Sequence, residues 1–185
     1  MTDPDQPAAT PAANPIGDAQ ARLYQAATRD SLTGLPNRHY FREAAERALL
    51  LAGRQQSPVT VLAVDVDDFD ALVERHGRDA SEAMLQRLGV LLEDRFRRSD
   101  LIARLSGATF AVLLPGAGQQ HAMVLAENLR AAVEADDGAS GHLTVSVGVA
   151  VASPDNQSSL DPLLDLADAA MHAARAAGSN RVVAA

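Results

Sequence analysis

The run Arg104-Leu105-Ser106-Gly107-Ala108-Thr109-Phe110 decides how this chain is read. Apolar and β-branched residues flank it on both sides, so two strands are expected, at 101–105 and 110–114. Ser106 and Gly107 supply the turn chemistry between them, and the unit reads as a hairpin. A helical pattern precedes the hairpin. Across residues 80–96, Met84, Leu85, Leu88, Leu91, Leu92 and Phe96 fall on one helical face.

Working outward, helix and strand patterns alternate. Phe41, Ala45, Ala48 and Leu49 recur at helical spacing over 37–52. Residues 59–66 form a β-branched run suited to a buried central strand. Residues 119–134 read as a helix, 142–152 as a strand, and 158–177 as a helix with Gly178 as its C-cap. Elements mixed on this scale predict an α/β sandwich around a mostly antiparallel sheet flanked by helices. Residues 1–17 contain four prolines and little to bury, and read as a disordered tail. Residues 18–27 read as a short N-terminal helix with Leu23, Tyr24 and Ala27 on one side. The main domain is expected over 28–185.

Composition narrows the function. At 185 residues the chain is expected to form one domain. It has no Cys, so disulfides and thiolate metal sites are excluded. The net charge of −8 disfavours nonspecific binding to nucleic acid or anionic membrane. No apolar run approaches the ~20 residues of a membrane span, and the acidic, Pro-rich start is unlike a signal peptide. A cytoplasmic protein is expected. All 16 basic residues are Arg, so any phosphate or guanine contact must come from a guanidinium or the backbone.

Six motifs stand in order along the chain. They are Asp30-Ser31-Leu32-Thr33-Gly34-Leu35-Pro36-Asn37-Arg38, Asp65-Val66-Asp67-Asp68-Phe69, His76-Gly77, the run from Asp100 through Phe110, Thr144-Val145-Ser146-Val147-Gly148-Val149-Ala150, and Ala167-Asp168 with Ala177-Gly178-Ser179-Asn180-Arg181-Val182. Together they resemble the GGDEF (diguanylate cyclase-like) family, from about Thr28 to the end. The resemblance implies the palm-like fold of nucleotidyl cyclases and polymerases. It also implies an ancestry in which two GTP molecules, one per subunit of a head-to-head dimer, are joined into cyclic di-GMP with two metal ions on each triphosphate.

On that resemblance the chain is a degenerate member. The signature acids are replaced by Ala108 and Thr109. Alanine cannot ligate a metal, and a neutral hydroxyl is a poor Mg²⁺ ligand in place of a carboxylate. A phosphate-binding Lys corresponds to Asp70, a guanine-reading Asn to Val73, and a C-terminal basic residue to Ser179. Vestigial matches remain at Asp65 for metal, Glu82 for guanine and Arg175 for phosphate. Each lost charge-assisted contact is typically worth about 1.5–3 kcal/mol, and each ~1.4 kcal/mol is tenfold in rate. No cyclase activity, no resident metal and no required cofactor are expected. The cluster Asp65, Asp67, Asp68 and Asp70 reads either as a divalent-ion trap or, by default, as an acidic cap on a solvent-facing strand end.

One feature of the resemblance survives. Arg97-Arg98-Ser99-Asp100 is an R-x-x-D separated from Ser106 by residues 101–105, the spacing of the family's inhibitory cyclic di-GMP site. A guanidinium can grip guanine or phosphate through two parallel hydrogen bonds. Arg97 and Asp100 are the candidate ligands, with Arg98 and Arg130 as further candidates. Arg130 lies two residues from the position where a second Arg is expected, which is Asn128 here. The alternative is that the Arg cluster is a solvated charge run and Asp100 a local cap.

Three functions are carried forward. The first is an inactive cyclic di-GMP receptor or regulatory module. The second is a nucleotide-free module docking in trans onto another signalling protein. The third is a GTP-binding or weakly active cyclase. A monomer or a ligand-dependent dimer is expected. Asp30, Thr33, Gly34, Asn37 and Arg38 are expected to build the opening turn, and Asn180 and Arg181 to tie the C-terminus to the sheet. His39, His121, His142 and His172 have no metal-ligand spacing.

Overall fold

The computed structural model describes residues 23–136, 141–153 and 159–185. The expected tail at 1–17 lies outside them, as do residues 18–22 of the expected first helix. Residues 23–28 are helical (α1). The chain then runs α2 (Arg38–Gln55), β1 (Val59–Val66), α3 (Phe69–His76), α4 (Arg78–Arg95), β2 (Leu101–Ser106), β3 (Thr109–Pro115), α5 (Gln119–Glu134), β4 (Val145–Ala152), α6 (Leu160–Ala176) and β5 (Val182–Ala184).

The sheet order is β2-β3-β1-β4-β5. β1 is central and antiparallel to both β3 and β4, while β5 runs parallel to β4. The expected mostly antiparallel sheet is found. β5 is an addition, because three residues are too few to show a period.

β1 is buried along all eight residues because helices cover both faces. Its side chains alternate. Leu62, Val64 and Val66 face a core built with Leu85, Leu88 and Leu92 of α4 and Leu129 of α5. Val59, Val61 and Ala63 face a second core built with Phe41 and Ala45 of α2 and Leu163 and Ala167 of α6. The two-residue repeat of the strand therefore sorts one segment into two cores.

Some boundaries move. The expected strand at 142–152 starts only at Val145. The helix expected at 80–96 starts at Arg78, and Phe96 caps it in an extended conformation. Ala177 is the C-cap of α6, and Gly178 follows it with φ 114°. α3 is a separate helix, split from α4 by Gly77 at φ 82°. That left-handed conformation is cheap for glycine and breaks the helix there.

Gly148 sets the distance between β4 and α6. A Cβ built there would lie 2.0 Å from the Ala167 carbonyl oxygen and 2.3 Å from the Met171 nitrogen. Only a residue without a side chain allows the helix backbone to approach the strand this closely.

Candidate functional site: a strand-end carboxylate pair closed by its neighbours

The end of β1 carries Asp65 and Asp67, both buried. Register puts Asp65 opposite Thr109 on β3 and Ser146 on β4. The Thr109 hydroxyl donates to Asp65 Oδ1 at 2.7 Å. The Arg175 guanidinium, from α6, donates to Asp65 Oδ2 at 2.7 Å. Each carboxylate oxygen thus already has a protein donor. Ala108 offers no ligand and packs against the core from a half-buried position.

Asp67 is satisfied in the same way. Its Oδ1 accepts from Ser146 at 2.6 Å, and its Oδ2 accepts from the Thr144 hydroxyl at 2.7 Å and the Asn180 N–H at 2.9 Å. Sequence reasoning singled out none of the three as a partner of Asp67. The signal was present for two of them, because Thr144 and Ser146 stand two apart and so share a side of the chain as β4 begins.

The default reading of the acidic cluster, a solvent-facing acidic cap, holds for Asp68 and Asp70 and not for Asp65 and Asp67. Asp65 and Asp67 do not face solvent, because donors from β3, β4, α6 and the C-terminal loop close over them. Asp68 and Asp70 are exposed, and Asp68 is the N-cap of α3 at φ 48°. Among the described residues no group of three or more His, Asp or Glu side chains is placed to hold a metal. A pair of catalytic metal ions needs several carboxylate oxygens turned toward one point. The two buried carboxylates here turn theirs toward hydroxyls, a guanidinium and a backbone amide. The residues present do not fit that group.

The positions that the resemblance matches to substrate contacts each have a local setting of their own. Glu82 pairs with Arg78 one turn before it, at 2.8 Å. Val73 is half-buried on α3, and Asp70 is exposed in the first turn of that helix. Ser179 takes φ 59° and Asn180 φ 47°, the left-handed turn that aims the Asn180 N–H at Asp67. Asn180 and Arg181 tie the C-terminus to the sheet as expected: the Arg181 carbonyl accepts from the Val147 N–H.

The opening motif and the hairpin are joined by Arg104. Its guanidinium donates to Asp30 Oδ1 at 2.9 Å and to the Gly107 carbonyl at 2.7 Å. Asp30 Oδ1 also accepts from the Thr33 N–H and hydroxyl. Partial burial alone would raise the Asp30 carboxyl, but these hydrogen bonds outweigh it and hold the group below the ordinary carboxylate value. Asn37 caps α2 by accepting from the Tyr40 N–H.

The R-x-x-D lies where α4 gives way to β2. Asp100 Oδ2 accepts from the backbone N–H of Arg97 at 2.8 Å, and the Arg97 carbonyl accepts from the Asp100 N–H. Asp100 therefore closes a tight turn. Arg97 and Arg98 are exposed, and no described residue pairs with either guanidinium. Arg130 is committed elsewhere. It donates to Glu127, Glu134 and the Asn180 side chain, and Glu127 and Glu134 push it further toward the charged form. Asn128 is exposed.

Fold and site together define an α/β sandwich whose strand-end acid site is internally paired. A family profile described as "Diguanylate cyclase, GGDEF domain" matches residues 27–181. The chain belongs to the GGDEF family. It is 36% identical over 174 residues to the diguanylate cyclase TpbB of Pseudomonas aeruginosa, covering 90% of this chain and 40% of TpbB. The crystal structure of the coiled coil and GGDEF domain of DgcB from Caulobacter crescentus in complex with c-di-GMP is similar, with a TM-score of 0.86. It is 25% identical, and 92% of each chain is covered. Diguanylate cyclase SiaD of Pseudomonas aeruginosa, in complex with its activator SiaC, is similar with a TM-score of 0.81. It is 29% identical, over 92% of this chain and 66% of that one. This chain spans about two fifths of the length of curated relatives such as TpbB and the Escherichia coli diguanylate cyclase DgcM.

Proposed function

We propose that this GGDEF domain works in cyclic di-GMP signalling without the diguanylate cyclase reaction, as a binding or regulatory module. The carrying observation is the closure of Asp65 between Thr109 and Arg175. The same substitutions that remove the signature acids supply a hydroxyl that ties up the remaining carboxylate. The group matched to phosphate binding, Arg175, is held by that same carboxylate. A turnover assay with GTP and either Mg²⁺ or Mn²⁺ tests this. No cyclic di-GMP is expected at high protein concentration, and sustained product formation overturns the reading.

The proposed ligand is cyclic di-GMP, bound through the Arg97 guanidinium with Asp100 organising the turn beneath it. Support comes from an exposed Arg97 whose guanidinium no described residue engages, on a turn locked by hydrogen bonds in both directions. Arg98 is the second cation within reach of the same turn. Calorimetric titration with cyclic di-GMP is expected to give micromolar or tighter binding that Arg97→Ala abolishes. Absence of heat with the unmodified chain, with an unchanged melting temperature, removes the receptor role.

A second reading is favoured by one observation. Arg130 is consumed by Glu127 and Glu134, and Asn128 carries no charge, so α5 adds no free cation to the site at either position. On this reading the domain binds no nucleotide and docks onto another signalling protein. Pulldown with the Arg97→Ala chain separates the two, because a docking module keeps its partner when the nucleotide contact is removed.

A further inference from the structure

Helix α2 has an outward stripe that no described element covers. Glu46, Leu50 and Arg54 follow one another at intervals of four residues, and all three are exposed. Leu50 is 71% exposed and its neighbour Leu51 55%. Two adjacent leucines this open on one helix are unlike the singly scattered apolar residues of an ordinary surface. Beside them lies an open groove of about 610 Å³. Leu49, Ala52, Val59 and Leu160 give it apolar walls.

The charges around Leu50 are arranged antisymmetrically. Glu46 stands one turn before it and Arg54 one turn after. Neither has an ion-pair partner among the described residues. Charges eight residues apart lie about 12 Å from each other along a helix, too far to pair within it. A second α2 laid antiparallel, with the two-fold axis at Leu50, reverses the order of the stripe. Glu46 then faces Arg54 of the second copy, and Arg54 faces its Glu46. Packing of i±4 ridges at about −50° sets the two stripes side by side. Leu50 meets Leu50, and Leu51 comes in beside the axis. Gly53 lies opposite Arg47 and leaves room for its long side chain.

We propose that this stripe is a self-recognition surface, and that its occupant is a second copy of this chain. The contact is isologous, so each copy contributes the same residues. It requires neither nucleotide nor metal, and it lies on a different element from the Arg97 turn. The expected ligand-dependent dimer is therefore supplemented by a contact that exists without ligand.

Sedimentation of the full chain in nucleotide-free buffer tests the proposal. A reversible dimer is expected. Glu46→Arg alone, or Arg54→Glu alone, sets like charges across the axis and is expected to weaken association roughly tenfold or more. The double variant Glu46→Arg with Arg54→Glu restores opposite charges and is expected to recover the dimer. Both substituted positions are exposed, so circular dichroism is expected to show the fold unchanged. A chain that stays monomeric at high micromolar concentration overturns the proposal. So does a dimer indifferent to the single reversals, or one that the double reversal fails to rescue. Because no cyclic di-GMP is present, these outcomes are independent of the receptor reading.

Discussion

Arg175 of α6 places a guanidinium nitrogen 2.7 Å from Oδ2 of Asp65 at the end of β1. This pair links the last long helix to the central strand, and Thr109 completes it from β3. The carboxylate that the resemblance matches to metal binding is here paired with the chain's own guanidinium. Asp65 is thereby neutralised by a guanidinium, while Asp67 beside it is satisfied by hydroxyls and a backbone amide.

Replacing Arg175 with Ala leaves a nearly buried carboxylate oxygen without its donor. The cost of an unsatisfied buried acceptor is about 1–3 kcal/mol. Partial exposure of Arg175 places the expected loss toward the lower end. Thr109→Val removes the donor to the other oxygen and is expected to cost a similar amount. Urea unfolding of both variants, and of their combination, measures the coupling between the two donors.

Arg97 and Asp100 are expected to separate in stability experiments. The Arg97 guanidinium has no partner among the described residues, so Arg97→Ala should leave the melting temperature unchanged. The Asp100 carboxylate accepts the Arg97 N–H, so Asp100→Ala should cost about 0.5–1.5 kcal/mol. Thermal unfolding of both variants checks this, and equal losses would contradict the assigned roles.

Two carboxyls give opposite pH signatures. Asp30 is held below its ordinary value, with hydrogen bonds from Thr33 and Arg104 outweighing desolvation. Its stabilising contribution is present above the unfolded carboxylate pKa and is lost as pH falls through the lower folded value. Asp168 on α6 is pushed up, chiefly by burial, with the His172 charge opposing. A raised acid penalises the fold while it is charged. Asp168→Asn is therefore expected to raise the melting temperature at neutral pH. That gain should fade as pH falls through the raised folded value and be gone below the unfolded one. Melting curves of Asp30→Asn and Asp168→Asn across the acidic range should diverge in these directions.

Gly148→Ala is expected to be among the most damaging single-methyl changes. The added carbon meets backbone of both Ala167 and Met171, which cannot rotate away as a side chain can. A loss of ~3 kcal/mol, the upper end for overpacking, is expected. Chemical denaturation measures it. A near-neutral result would mean that α6 can slide outward from β4.

Much of the fold was legible in the chain itself. The β-branched run of β1 and the helical repeats of α2, α4 and α6 each signal their element, because burial imposes a period of two on strands and near 3.6 on helices. α3 was missed because only one of its residues, Leu72, is buried, too few to mark a repeat. That positions 108 and 109 carry no acid was also plain, since residue type alone decides whether a side chain can offer a carboxylate.

What became of the acids that remain was decided by tertiary structure. Asp65 is tied to Arg175 across 110 positions and Asp67 to Asn180 across 113. No local pattern announces such pairs, because strand register and helix packing bring their donors together only when the sheet is assembled. Likewise, the sequence offers Arg130 as a candidate ligand, and Asp100 either as a ligand or as a local cap. One is consumed by its helix neighbours and the C-terminal loop, and the other by the turn it closes. Residue type sets what each group can do, and only the folded chain settles whether a partner has already claimed it.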